Sequence, residues 1–294
     1  MFPLRVLLNA SIVISLVAFS ACATAPASVP RPDLPPPRAD TPAVPLPVPV
    51  PTVFSFRDSE YVYEVQETTH LTIRSDSTAP AFDTVQTLAK LTYRIQQAGN
   101  APSILAAVDS LSMYSLRDTS LSTRRLDTVV VVIFPLDPAV AVLYPTLDFP
   151  SCDSMHDVAR ALAQNTVVRI PQSIVAGHTW IDSVTTSLCR GGIPMVSIAR
   201  STYQIRDTRD SAGTSLLRVT RTTDLSLSGS GLQASRQVTV VGHGQSETLL
   251  TYDIAQGALL GSDGRSSLEL TFETLRQRQH VQQESVAKVR RRPQ

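Results

Sequence analysis

Beyond residue 52 the chain alternates apolar and polar side chains with a period of two, the pattern of half-buried β-strands. Tyr61, Tyr63 and Val65 share one face, followed by Leu71 and Ile73, and Leu91, Tyr93 and Ile95 repeat the pattern. A turn at Gly99-Asn100-Ala101-Pro102 leads into a strand from Ile104 to Tyr114, although Leu105-Ala106-Ala107 would also suit a helix. Val129 to Phe134 is a continuous, mostly β-branched run ended by Pro135, which predicts a strand buried on both faces. In the second half Val196 and Ile198, Tyr203 and Ile205, Leu217 and Val219, Leu225 and Leu227, Val238 and Val240, Leu250 and Tyr252, and Leu268, Leu270 and Phe272 mark successive strands. Turns are expected at Asp210-Ser211-Ala212-Gly213, Gly229-Ser230-Gly231, Gly242-His243-Gly244, between Asp253 and Gly257, and at Ser262-Asp263-Gly264. The spacing predicts one helix over about 153–165. Asp153 is its N-cap, Met155, Val158, Ala159 and Leu162 form its apolar face, and Asn165 is its stop. The fold class is therefore mainly β: an antiparallel meander or half-barrel around one central helix. Tyr63-Glu64-Val65 and Tyr203-Gln204-Ile205 open similar stretches, which suggests two similar lobes.

The first residues follow a different pattern. Arg5 precedes an apolar run from Val6 to Phe19, interrupted by Asn9, Ser11 and Ser15. The run is too short to span a bilayer and has the form of a secretory signal. It ends in Phe19-Ser20-Ala21-Cys22, which resembles the lipobox of bacterial lipoproteins; that motif usually carries Leu where this chain has Phe19. The resemblance covers residues 1–22 and implies a diacylated Cys22, palmitate included, as the mature N-terminus. Residues 26–51 then hold 11 of the 21 prolines. Proline fixes φ and removes a backbone donor, so this stretch reads as an extended polyproline II spacer of at most roughly 80 Å. A Pro-rich ligand for a partner domain is the alternative. The expected organisation is a signal peptide at 1–21, a lipidated N-terminus and linker at 22–52, a first β lobe at 53–150, and the helix with a second lobe at 151–294.

Composition narrows the function classes. The chain has 26 basic and 25 acidic side chains, and loss of Arg5 with the signal leaves them balanced. Such neutrality argues against nucleic acid as a partner. The basic end, Lys288 with Arg290-Arg291-Arg292, reads as a solvated tail, with contact to anionic lipid or phosphate as its other use. No Gly-x-Ser-x-Gly elbow, His-Glu-x-x-His pair or phosphate loop occurs, and His70, His156, His178, His243 and His280 lack ligand spacing. No metal or cofactor is expected. His243 reads as a hairpin tip, and Asp207 with Asp210 as a solvated turn or a calcium site. Trp180 is expected to anchor a strand in the core. Cys152 and His156 are the one pair with catalytic potential, at a helix N-terminus that would lower a thiol pKa.

The lipoprotein resemblance bears on that pair. Export places the chain where thiols oxidise, and lipid on Cys22 leaves Cys152 and Cys189, whose simplest state is a disulfide. With Ala23 and Thr24 after Cys22, the resemblance implies the outer membrane, facing the periplasm. The folded part loosely resembles the half-barrels of lipoprotein carriers, which hold acyl chains on a concave face. The resulting expectation is a non-enzymatic, membrane-anchored envelope lipoprotein that binds an apolar or amphipathic ligand. The alternatives are an assembly module for another envelope protein and a hydrolase with an unrecognised site.

Overall fold

The structure, a computed structural model, describes residues 52–293 apart from 58, 77, 99–100, 117–123, 126–128, 136–153, 167, 172, 191–192, 212, 234 and 276. Cys22, the proline-rich stretch, Cys152 and the Asp153 cap lie outside the described residues. In chain order the elements are β1 (Thr52–Val53), β2 (Glu60–Ser75), β3 (Thr78–Ala98), β4 (Ala101–Ser115), β5 (Arg124–Arg125) and β6 (Val130–Pro135). They continue with α1 (Ser154–Thr166), β7 (Ser173–Ile174), β8 (Thr179–Arg190), β9 (Ile193–Ser211), β10 (Thr214–Gln233), β11 (Arg236–Asp253), β12 (Ala258–Thr274) and β13 (Gln277–Arg291). Among the described residues no helix is long and apolar enough to cross a membrane.

One 11-stranded antiparallel sheet curls into a half-barrel, in the order β5-β4-β3-β2-β13-β12-β11-β10-β9-β8, with β6 also on β4. Near its centre β13 pairs with β2, which brings the last strand beside the first long one. Strands from both expected lobes thus pair in one sheet. The meander is interrupted between β4 with its companions and β8. Helix α1 fills that seam: it contacts β4, β6 and β8. Its predicted face, Met155, Val158, Ala159 and Leu162, is buried, with Ala163 beside it. Beyond the helix, Arg169 pairs with Asp182 of β8 at 2.7 Å.

The interior is layered. The upper core joins α1 to Val65, Leu91, Ile205, Leu217, Val219 and Leu250 among others. A second core, at the far end of the long hairpins, consists of Leu188, Ile193, Met195, Leu225, Leu227, Val238, Val240, Leu268 and Leu270. Register places a row of hydroxyl residues across six strands between them: Ser201, Thr223, Ser246, Ser266, Ser285 and Thr69. Thr69 and Ser285 share a hydrogen bond of 2.8 Å, as do Ser201 and Thr223.

Several expected turns are strand interiors. Gly229 lies inside β10, Gly242-His243-Gly244 inside β11, and Ser262-Asp263-Gly264 inside β12. Of these, Gly229, Gly242 and Gly244 serve close approach. Gly242 and Gly244 stand opposite Leu270 and Leu268. A Cβ at Gly244 would sit 2.6 Å from the Ser267 carbonyl and 3.1 Å from Leu268. Small residues beneath large ones let the sheet curl until its far end is filled. The chain instead turns at Ser235, with φ of 64°, and at Gly257, with φ of 58°. The second of these agrees with the turn expected between Asp253 and Gly257.

Two further expectations are corrected. The β6 run is only partly buried, and on one face: Val130 and Val132 pack against the core, while Val131 and Ile133 are 52% and 61% exposed, because β6 lies outside β4. The basic end is no solvated tail but the end of the central strand. Arg290 pairs with Asp263 at 2.6 Å, Arg291 donates to Gln256 at 2.6 Å, and Arg292 pairs with Glu64. Cross-strand carboxylates therefore answer two of these charges.

Candidate functional site

The aromatic residues of the alternating strands converge at the mouth of the half-barrel. Tyr63 and Tyr93, from β2 and β3, have ring centroids 5.0 Å apart. Phe54, just after β1, meets Phe56 at 5.0 Å and Tyr252 of β11 at 5.6 Å, both edge to face. Their packing leaves a small open pocket of about 30 Å³, lined chiefly by Phe56, Tyr61, Tyr63, Tyr93, Tyr252 and Leu259. Thr166 and Val168, at the end of α1 and just beyond it, form another wall.

The polar ends of these rings are held or shielded. The Tyr63 hydroxyl donates to the Leu259 carbonyl at 3.0 Å, and the Tyr61 hydroxyl to the Gln256 carbonyl at 2.9 Å. Burial pushes the phenols of Tyr63, Tyr93 and Tyr252 well above their ordinary range. Arg291 pulls Tyr63 back in part, and the Thr166 hydroxyl does the same for Tyr93. All three are neutral at physiological pH, so the pocket is apolar with hydroxyl edges, a surface suited to hydrocarbon or aromatic groups.

A second, deeper cavity of about 30 Å³ shares Thr166 as a lining residue with the first. Glu67, Asn165, Arg221, Thr248 and Ser262 supply its polar lining. Arg221 is 6% exposed. Its Nη1 donates to the Asn165 carbonyl at 2.6 Å, and its Nη2 to Thr248 Oγ1 at 3.3 Å. Its Nε is buried without a hydrogen-bond partner. Arg221 thus ties the C-terminal end of α1 to the inner wall.

The residues singled out in the sequence are dispersed. His156 lies half-buried on α1, and Cys189 is buried at the end of β8. His243 is exposed in mid-strand, 3.4 Å from Glu269. Asp207 is held by Arg218 at 2.7 Å and Arg209 at 3.2 Å, which makes it an ion-pair residue. Trp180 stacks on Tyr203 at 5.0 Å, on the strand that opens the second half. Of the alternating residues, Tyr93 lines the pocket, whereas Val240 lies in the filled lower core. Among the described residues no group of three His, Cys, Asp or Glu side chains could hold a metal ion. Arg221 and Glu67 were not singled out. Each sits in a Thr-rich strand at a position of the apolar parity, which is the one signal the sequence offered.

No protein-family model matches the chain, and no curated protein matches it. Among solved structures the chain is similar to mutants of the Rhodopseudomonas blastica porin. One of these is 9% identical, covers 79% of this chain and 100% of its own, and has a TM-score of 0.25. A LolA superfamily protein from Nitrosomonas europaea is 8% identical, covers 79% of this chain and 87% of its own, and has a TM-score of 0.16.

Proposed function

We propose that this chain is a non-enzymatic envelope lipoprotein, anchored through Cys22, that binds an apolar or amphipathic ligand at the mouth of its half-barrel. The observation that carries the reading is the aromatic pocket between Tyr63, Tyr93 and Tyr252, walled by the residues that follow α1. The lower half of the concave face is filled by its own side chains, so the space available to a ligand lies at the mouth. An acyl chain is longer than this pocket, and its entry requires α1 to move outward. Because α1 sits in a seam of the sheet, such movement breaks contacts with β4, β6 and β8 but no strand pairing.

The test uses purified chain without its lipid and an environment-sensitive acyl probe. Saturable fluorescence enhancement is expected. Ala258→Leu, which fills the pocket wall, should weaken it about tenfold with the circular dichroism unchanged. Val286→Ser, on the outer face, should leave it unchanged. Absence of probe binding by well-folded chain sinks the reading. For the anchor, mass spectrometry of chain made in a lipoprotein-processing host should find a diacylglyceryl Cys22; an unmodified start beyond that residue refutes it.

The second reading, an assembly module, draws on Val129, Val131 and Ile133, exposed at 55%, 52% and 61% at the sheet's edge. An apolar edge of this kind suits strand addition by another envelope protein. A chain that binds no probe, yet loses a co-purifying envelope protein on Ile133→Lys, would favour it.

A further inference from the structure

We propose that the cavity around Arg221 is a head-group site, taking the carboxylate or phosphate monoester of an amphipathic ligand whose apolar part lies in the aromatic pocket. This rests on the binding reading above and names the ligand class. A guanidinium taken out of water costs several kcal/mol in real proteins unless its donors are met. Arg221 is on the inner face of β10, 6% exposed, and its two hydrogen-bond partners are both neutral: the Asn165 carbonyl and the Thr248 hydroxyl. The Nε donor is buried without a partner. A planar fork with a spare donor matches the oxygens of a carboxylate or phosphate better than any other common group.

The surroundings fit that use. The cavity is also lined by Thr248 and Ser262, whose hydroxyls can donate to further anionic oxygens. Thr166 lines both cavities, so a head group at Arg221 and a tail among Tyr63, Tyr93 and Tyr252 would lie on neighbouring sides of one residue. The positive charge also reaches that pocket, since it opposes the effect of burial on Tyr252. Glu67 lines the same cavity from β2, four strands away across the sheet. Glu67 is 3% exposed, so its carboxyl is the group in this cavity that would compete with a ligand anion for Arg221.

The experiment compares anthroyloxy-labelled palmitic acid with its methyl ester on the purified chain. The wild type should bind the acid at least tenfold more tightly than the ester. Arg221→Gln should abolish that preference while ester binding persists, and Arg221→Lys should restore part of it. Because Arg221 also holds α1, each variant's melting temperature is recorded; the wild-type comparison stands even if a variant fails to fold. Glu67→Gln should tighten binding of the acid. Equal affinity for acid and ester overturns the head-group site and leaves the binding reading intact. Binding of neither overturns that reading itself. Inorganic phosphate as competitor separates the sources. Weak displacement of the acid supports a lipid head group, and displacement by micromolar phosphate assigns the site to the free anion and overturns the proposal.

Discussion

The backbone N–H of Cys189 donates to Oδ2 of Asp157 at 3.1 Å. Asp157 lies in the first turn of α1, and Cys189 is the next-to-last residue of β8. One bond therefore seats the start of the helix against the edge strand, and Cys152 is two residues before that helix in the sequence. We predict a Cys152–Cys189 disulfide at this junction. Closing a loop of that length contributes about 4 kcal/mol in the chain-entropy model. Peptide mapping without reductant should recover the linked pair, and Cys189→Ser should lower the melting temperature under oxidising conditions. Two free thiols in the oxidised, folded chain would refute the pairing.

The buried pair Thr69 and Ser285 gives a second expectation. Thr69→Val keeps the side-chain shape but leaves the Ser285 hydroxyl without its partner at 2.8 Å. The cost should be about 1–3 kcal/mol in urea unfolding. Adding Ser285→Ala should recover most of it. If the double variant is as unstable as the sum of the singles, the hydroxyl bond is not the source of the loss.

Gly244 tests the curl. Its nearest contact for an added methyl is the Ser267 backbone carbonyl at 2.6 Å, which no rotamer change removes. Gly244→Ala should therefore cost about 1–3 kcal/mol through overpacking. An alanine at the neighbouring exposed position, Gln245→Ala, should change stability by less than about 0.5 kcal/mol. Equal effects at the two positions would contradict the close approach.

A pH dependence follows from Asp207. The Arg218 guanidinium, more than the farther Arg209, holds this carboxyl below its ordinary range. A depressed folded-state pKa adds stability above the unfolded value, and that stability is lost as pH falls through the folded one. Both partners are partly exposed, so the effect is small. Melting temperatures of wild type and Asp207→Asn should differ at neutral pH and converge below the ordinary carboxylate range. A gap that widens in acid would have the wrong sign.

Period-two alternation, the short helix and its apolar face were all legible along the chain, because each depends on neighbours close in sequence. The inner parity of β10 is readable as Leu217, Val219, Leu225 and Leu227, and the structure buries all four. Tertiary contact decided the rest. Gly242 and Gly244 look like a turn until Leu270 and Leu268 are seen to lie over them from the next strand. Arg290 and Arg292 look like a tail until β2 and β12 bring Glu64 and Asp263 beside them. The site shows the same division. Tyr63 and Tyr93 carry their inward parity in the sequence, but Arg221 reads as one more polar residue of a strand. Its role depends on Asn165, 56 residues away, whose carbonyl it meets only because α1 fills the seam of the sheet. Sequence determines which side chains share a face, since that is set by local backbone geometry. Which faces become interior, and what meets there, depends on how far the sheet curls, and that is a property of the whole chain.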